Sequence, residues 1–303
     1  MLSNQLLFTY FFVALILSSF VSSTKLDKKE VAALNRVAKE LKKSNWDFTV
    51  VDPCDLSSQG GGWRDFSNPK GSEDVVTCNC SSVVCHVTSI VLKIQDLQGS
   101  LPTLTGLPFL QEIDLSRNYL TGSLPTEWAA LPLVNITLLG NRINGPIPKE
   151  YGSLKNLHSF VLDYNQISGE LPPELGNLKN IQRLFVSSNY LTGEIPSTFA
   201  NLTTLIDFRI SDNKFNGTIP DFIQNWTKLE KLVIQASGLV GPIPSGIFSL
   251  GKLRDLRISD LSGPESLFPP LQNMNLKTLV LRNCNLTGDL PEYLGNKSSL
   301  KML

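Results

Sequence analysis

One pattern returns down this chain at a nearly fixed interval, and it decides what the chain can fold into. Leu110-x-x-Ile113-x-Leu115-x-x-Asn118-x-Leu120-x-Gly122-x-Leu124-Pro125 recurs in the same frame. Positions equivalent to Asn118 are Gln95, Asn141, Asn165, Asn189, Asn213, Ser237, Leu261 and Cys284, each 23 or 24 residues from the last. Length alone, 303 residues, would suggest two ordinary domains of roughly 150 residues each. Periodicity overturns that expectation, because a stack of units grows along one axis without a second core.

Each position of the unit has a mechanical role. The apolar residues around Ile113 and Leu115 alternate as in a short strand, and no unit can bury its apolar side alone. The Asn turns the chain out of the strand, and its amide can donate and accept at once. The Gly permits close backbone approach, and the following Pro fixes an extended path. A unit of this period and pattern is identified as a leucine-rich repeat. Gly145-Pro146-Ile147-Pro148, Gly193-Glu194-Ile195-Pro196 and Gly217-Thr218-Ile219-Pro220 resemble the plant-type variant of that repeat. The expected fold is an α/β-type repeat solenoid: a right-handed, gently curved stack with about nine parallel strands on its concave side, one per repeat.

The N-terminal region belongs to a different kind of sequence. No charge precedes Lys25, Leu6 to Leu17 is almost unbroken apolar sequence, and Ser18, Ser19, Ser22 and Ser23 follow. That is the form of a secretory signal over residues 1–23, and the apolar run is shorter than the roughly 20 residues a membrane span needs. Cys54, Cys78, Cys80 and Cys85 cluster ahead of the repeats, with Cys284 alone downstream. In a secreted chain four clustered cysteines read as two disulfides, with three connectivities open. A zinc site from Cys78, Cys80, Cys85 and His86 is the rival, and Cys-x-Cys is not a common zinc spacing. Asn79, Asn135, Asn201, Asn216, Asn225, Asn285 and Asn296 each begin an Asn-x-Ser/Thr sequon, a glycan acceptor in such a compartment.

Residues 24–86 read as a cap and residues 87–303 as the repeats, the last incomplete. Asp27 and Glu30 form a helix-capping pair ahead of an apolar face at Val31, Leu34, Ala38 and Leu41. Seven basic and three acidic residues between Lys25 and Lys43 read as a solvated helix face. Trp46, Trp63 and the disulfides are expected to cover the first repeat's open edge. At the other end the sequence stops inside a unit that has just begun again, with no closing cysteine pair, which reads as a fragment or a truncated product.

Asp52-Pro53-Cys54, Trp63, Val76-Thr77-Cys78-Asn79-Cys80 and Cys85-His86-Val87-Thr88 together resemble the N-terminal cap of plant leucine-rich-repeat receptor kinases. The irregular repeat from Arg257-Ile258-Ser259-Asp260-Leu261-Ser262-Gly263-Pro264-Glu265 through Phe268-Pro269 to Lys277-Thr278-Leu279-Val280-Leu281-Arg282-Asn283-Cys284-Asn285-Leu286 is similar to one subgroup of them. In that subgroup a malectin-like domain, a membrane span and a cytoplasmic serine/threonine kinase follow. The resemblance implies an ectodomain on the extracellular side of the plasma membrane, or a secreted fragment. Its partner would be an extracellular peptide, protein or cell-wall-derived ligand, with a co-receptor, and it would meet the membrane only through regions beyond this sequence. A free-standing secreted binder, such as an inhibitor of cell-wall-degrading hydrolases, uses the same repeat and is the alternative.

Chemistry of other kinds is not supported. With 27 basic and 27 acidic residues the chain lacks the basic surface that nucleic acid demands. No Gly-x-Gly-x-x-Gly, His-Arg-Asp or Asp-Phe-Gly is present, so no kinase residue carries over. Gly60-Gly61-Gly62 follows no strand signal and opens no helix, which makes it a weak phosphate loop. His158 with Asp163 or Asp207 lacks a nucleophile elbow, and no cofactor is called for. Binding is the remaining activity. One outward column runs Asp114, Thr137, Val161, Phe185, Arg209, Val233, Arg257 and Val280, flanked by Asp163, Tyr164, Arg183, Asp207, Asp212 and Gln235. Aromatic and arginine residues, the types enriched at binding hot spots, concentrate here. A glycan on Asn135 would crowd the first strands, which leaves repeats four to seven as the open stretch.

Overall fold

The computed structural model describes residues 25–49, 51–54, 62–65, 71–81, 84–271, 275–295 and 299–302. The signal expected over 1–23, Gly60, Gly61 and the sequon at Asn296 lie outside them.

Among the described residues eleven strands form one sheet. Nine are parallel and come one per repeat: His86–Lys93, Glu112–Asp114, Asn135–Thr137, Ser159–Val161, Arg183–Phe185, Asp207–Arg209, Lys231–Gln235, Asp255–Ser259 and Thr278–Arg282. The alternation of each unit sets which side is buried. Ile113, Ile136, Phe160, Leu184, Phe208, Leu232, Leu256 and Leu279 point into the stack and are 0–2 % exposed. Their neighbours on either side face out. On the far side of the core, short 3-10 turns such as Lys149–Ser153, Pro173–Asn177 and Ser197–Asn201 stack on one another. Their approach is tight. A Cβ at Gly152 would stand 2.3 Å from the Glu174 carbonyl oxygen, and one at Gly176 would stand 2.5 Å from that of Thr198.

The asparagine ladder carries the hydrogen-bond economy of the turn. Asn165 donates from Nδ2 to the carbonyls of Leu138 and Leu162, both at 2.9 Å, and its Oδ1 accepts from the Ile143 N–H at 3.1 Å. Asn118, Asn141, Asn189 and Asn213 repeat the arrangement. Each amide ties its own turn to the preceding unit, and so satisfies backbone groups that the turn strands inside the core. Cys284 occupies the same ladder position, unpaired and buried, with Sγ 3.5 Å from the Ile258 carbonyl. The residue before the ladder position is left-handed in all nine repeats: Ile94, Arg117, Gly140, Tyr164, Ser188, Asp212, Ala236, Asp260 and Asn283. That constraint does not show in the sequence, because only one of the nine is glycine.

The cap closes the first repeat in a way the sequence only partly anticipates. Its helix spans Lys28–Glu40 with Asp27 as N-cap, the Asp27 carboxylate accepting from Lys29 N at 2.7 Å. Glu30 does not complete the capping pair. It is buried, and its carboxylate instead holds His86 Nδ1 at 2.6 Å and Val87 N–H at 2.7 Å on the first repeat strand. Two antiparallel strands, Gly62–Arg64 and Glu73–Asn79, extend the sheet past that strand, so edge pairing covers it as well as the helix. Trp46, Phe48 and Trp63 cluster with ring centres 5.2–5.8 Å apart. The charged helix face is not wholly solvated either. Lys43 pairs at 2.5 Å with Asp74, which also accepts from Trp46 Nε1 at 2.9 Å, and both charges are buried. Disulfides join Cys54 to Cys78 and Cys80 to Cys85, which removes the zinc reading.

Candidate interaction surface

The outward column is in register along the sheet. Asp114 pairs with Thr137, Thr137 with Val161, Val161 with Phe185, Phe185 with Arg209, Arg209 with Val233, Val233 with Arg257 and Arg257 with Val280. A second column beside it brings Arg183, Asp207, Lys231 and Asp255 together. Parallel pairing places successive members about 4.8 Å apart.

Within this surface the charges neutralise one another. Arg209 is bidentate to Asp207, two residues back on the same strand face, at 2.9 and 2.6 Å. That hydrogen bonding holds the guanidinium pKa above its usual value despite burial. The Arg209 guanidinium also lies over the Phe185 ring, 4.0 Å from its centre. Arg257 makes the same bidentate contact to Asp255 at 2.7 and 3.1 Å, and Lys231 reaches Asp255 at 2.8 Å. Burial pushes the Asp255 carboxyl up, but hydrogen bonds from Arg257 and Lys231 together outweigh it and hold it below the usual range. Arg183 is exposed and has no carboxylate within 4.0 Å among the described residues.

Asp163 differs from the rest. It is only 6 % exposed, and its Oδ1 accepts from the Ser187 N–H at 2.6 Å. Burial pushes its carboxyl up to about 6, against the pull of that hydrogen bond and of Arg209. It starts a relay: Ser187 Oγ accepts from Ser211 N–H at 3.1 Å, and Ser211 Oγ from Gln235 N–H at 2.9 Å. Asp163 is therefore a strand-to-strand brace and not a free contact residue. Tyr164 beside it is 63 % exposed in the left-handed conformation. Asp212 is exposed in the same turn position one repeat pair on, accepting from Ser188 Oγ at 3.3 Å. His158 directly precedes the Ser159–Val161 strand, and its Nδ1 contacts the Asn156 carbonyl at 2.6 Å.

The sequence reading missed Asp255, Ser187 and Ser211. Asp-x-Arg at 207–209 and 255–257 was a legible signal, since alternation puts both residues on one face. Nothing in the residue types marks the serines.

Comparison with known proteins adds the relationship. The leucine-rich-repeat family model matches residues 109–131, 156–178, 180–202 and 275–297. A probable leucine-rich repeat receptor-like serine/threonine-protein kinase of Arabidopsis thaliana is 68 % identical over 122 residues, covering 39 % of this chain and 12 % of that protein. The chain has the leucine-rich-repeat solenoid fold and, over part of its length, is similar to receptor-like serine/threonine kinases. This leucine-rich-repeat chain spans about a tenth of the length of the curated relatives it matches. Among solved structures, the Arabidopsis receptor kinase HAESA in complex with the peptide hormone IDA and the co-receptor SERK1 superposes with a TM-score of 0.74. It is 25 % identical and covers 90 % of this chain and 45 % of HAESA. The leucine-rich-repeat ectodomain of GASSHO1/SCHENGEN3 from Arabidopsis thaliana, in complex with CASPARIAN STRIP INTEGRITY FACTOR 2, gives a TM-score of 0.68 at 26 % identity. It covers 90 % of this chain and 34 % of that one.

The sequons of the leucine-rich-repeat chain distribute by side. Asn135 opens a sheet strand and borders the outward column. Asn201 and Asn225 close the 3-10 turns on the opposite side. Asn216 and Asn285 are exposed beyond the ladder, and Asn79 accepts from Ser81 N–H between the two disulfides. No described helix is long and apolar enough to cross a membrane, and no described group of His, Cys, Asp and Glu could hold a metal ion.

Proposed function

We propose that this chain is the ligand-binding ectodomain segment of a plant receptor-like kinase, acting on the extracellular side and recognising a peptide or protein with a co-receptor. The observation that carries the reading is the Arg183, Phe185 and Arg209 cluster on a registered nine-strand face, in a fold whose solved relatives hold peptide hormones. Large rigid rings and guanidinium groups supply contact area at low ordering cost. Arg257 extends the surface, while Asp207 and Asp212 supply acceptors. The irregular repeat from Arg257 to Leu286 supports the subgroup with a malectin-like domain, and the residue 1–23 signal supports secretion. Kinase activity belongs in this reading to regions outside the 303 residues. A hydrolase inhibitor is not proposed, since the matched relatives are receptor kinases.

A photo-reactive phenylalanine analogue placed at position 185 of the secreted chain, exposed to apoplastic fluid, tests this. Adducts with a secreted peptide or a receptor ectodomain are expected. Adducts only with wall hydrolases, or adducts only from a control position on the 3-10 side, overturn the reading.

A further inference from the structure

The sheet face and the ridge beside it differ in how they treat positive charge, Arg183 on the sheet apart. On the sheet, Lys93, Arg209, Lys231 and Arg257 are each paired to a carboxylate of their own surface. On the ridge, residues on either side of the asparagine ladder carry cations without such partners. Arg117, Arg142 and Lys214 are exposed, and none has a carboxylate within 4.0 Å among the described residues. Aromatic rings hold two of them. The Arg142 guanidinium sits 5.0 Å from the Tyr119 ring centre, and Lys214 Nζ sits 5.2 Å from that of Tyr190. Those rings are 45 % and 51 % exposed themselves.

A cation held over a ring keeps its charge while losing freedom, so it is presented for an anion at reduced ordering cost. The backbone beneath is fixed: Tyr119, Arg142 and Lys214 each donate their N–H to the repeat before, at 2.8 Å. With those N–H groups used, the ridge offers no free strand edge to an extended peptide. It offers cations and ring faces along a line. Arg117 to Lys214 crosses four strand steps, about 19 Å at about 4.8 Å per step. Asp212 is the one acidic residue in the two columns flanking the ladder between Arg117 and Lys214.

We propose that the ridge formed by Tyr119, Arg142, Tyr190, Lys214 and Arg117 is a binding surface for a linear, carboxylate-bearing polysaccharide. Carboxylates meet the ring-held cations and sugar C–H faces pack on the exposed tyrosines. None of these five residues is among those assigned to the peptide or protein ligand, so either assignment can fail alone.

The test uses the whole secreted chain with N-glycans trimmed, because Asn216 lies two residues from Lys214. Calorimetric titration compares unesterified galacturonate oligomers of graded length with their fully methyl-esterified forms. Unesterified oligomers long enough to span about 19 Å are expected to bind at least tenfold tighter than their esters and than short oligomers, with affinity falling as salt rises. Arg142→Gln with Lys214→Gln is expected to lower affinity at least tenfold, and Tyr119→Ala to lower it too, while Phe185→Ala leaves it unchanged. An unchanged melting temperature shows that the variants are folded. Equal binding of ester and acid, undiminished binding by the folded double variant, or equal displacement by polyglutamate overturns the proposal.

Discussion

The Arg209 guanidinium lies 4.0 Å from the centre of the Phe185 ring, and the two residues are register partners on adjacent parallel strands. Asp207 grips the same guanidinium from its own strand. The ring, the cation and the carboxylate thus form one rigid group whose orientation is set before any partner arrives.

That group fixes what a truncation does. Phe185→Ala removes the surface under Arg209 but touches no inward leucine, so folding and secretion should be normal. Affinity for the proposed peptide or protein ligand should fall by about 1–2 kcal/mol. Surface plasmon resonance against the captured ligand measures it, with a loss below tenfold in Kd still consistent and no change at all contrary to the assignment.

The ladder gives a larger effect on stability. Asn165→Ala strands the carbonyls of Leu138 and Leu162 and the N–H of Ile143 in the interior. A cost of about 2–4 kcal/mol is expected, since each buried group left unsatisfied bears its full desolvation penalty. Urea unfolding should show a lower midpoint. A midpoint within error of wild type would mean that water reaches the ladder.

Much of this was readable in the residues, for a physical reason. Strand alternation and a 23–24-residue period fix which side chains point outward, so the column from Asp114 to Val280 followed from counting. Tertiary pairing does not follow from counting. Glu30 looks like a capping residue, yet its carboxylate is captured by His86 and Val87 fifty-six and fifty-seven positions away. Asp163 occupies an outward position but sits where the next strand's Ser187 N–H needs an acceptor, and that contact buries it. Left-handed turns at Tyr164 and Asp212 went unread because the fold imposes them on side chains that carry no glycine signal.

The cap disulfides are expected to matter unequally with the lone thiol. Cys54 and Cys78 close a loop 24 residues apart, and opening it with Cys54→Ser and Cys78→Ser should cost about 3–4 kcal/mol by the loop-entropy argument. Cys284→Ser should cost under about 1 kcal/mol, since a hydroxyl can still donate to the Ile258 carbonyl. Thermal unfolding of both variants checks the ranking, and a reversed order would contradict the cap's role.

The last prediction concerns acidity. Burial raises the Asp163 carboxyl to about 6 in the folded chain, whereas the unfolded chain titrates it near about 3.9. The folded state therefore holds the proton more tightly between those values. Stability from this group is present in full below about pH 4 and is lost as pH rises through about 6, up to about 3 kcal/mol in all. Asp163→Asn keeps an oxygen to accept from Ser187 N–H but cannot ionise. The difference in unfolding free energy between wild type and Asp163→Asn should accordingly shift in favour of the variant from pH 4 to pH 7, and stay flat above. A difference that does not move over that range would show that Asp163 ionises in the fold as freely as in water, and that the brace to Ser187 is solvated.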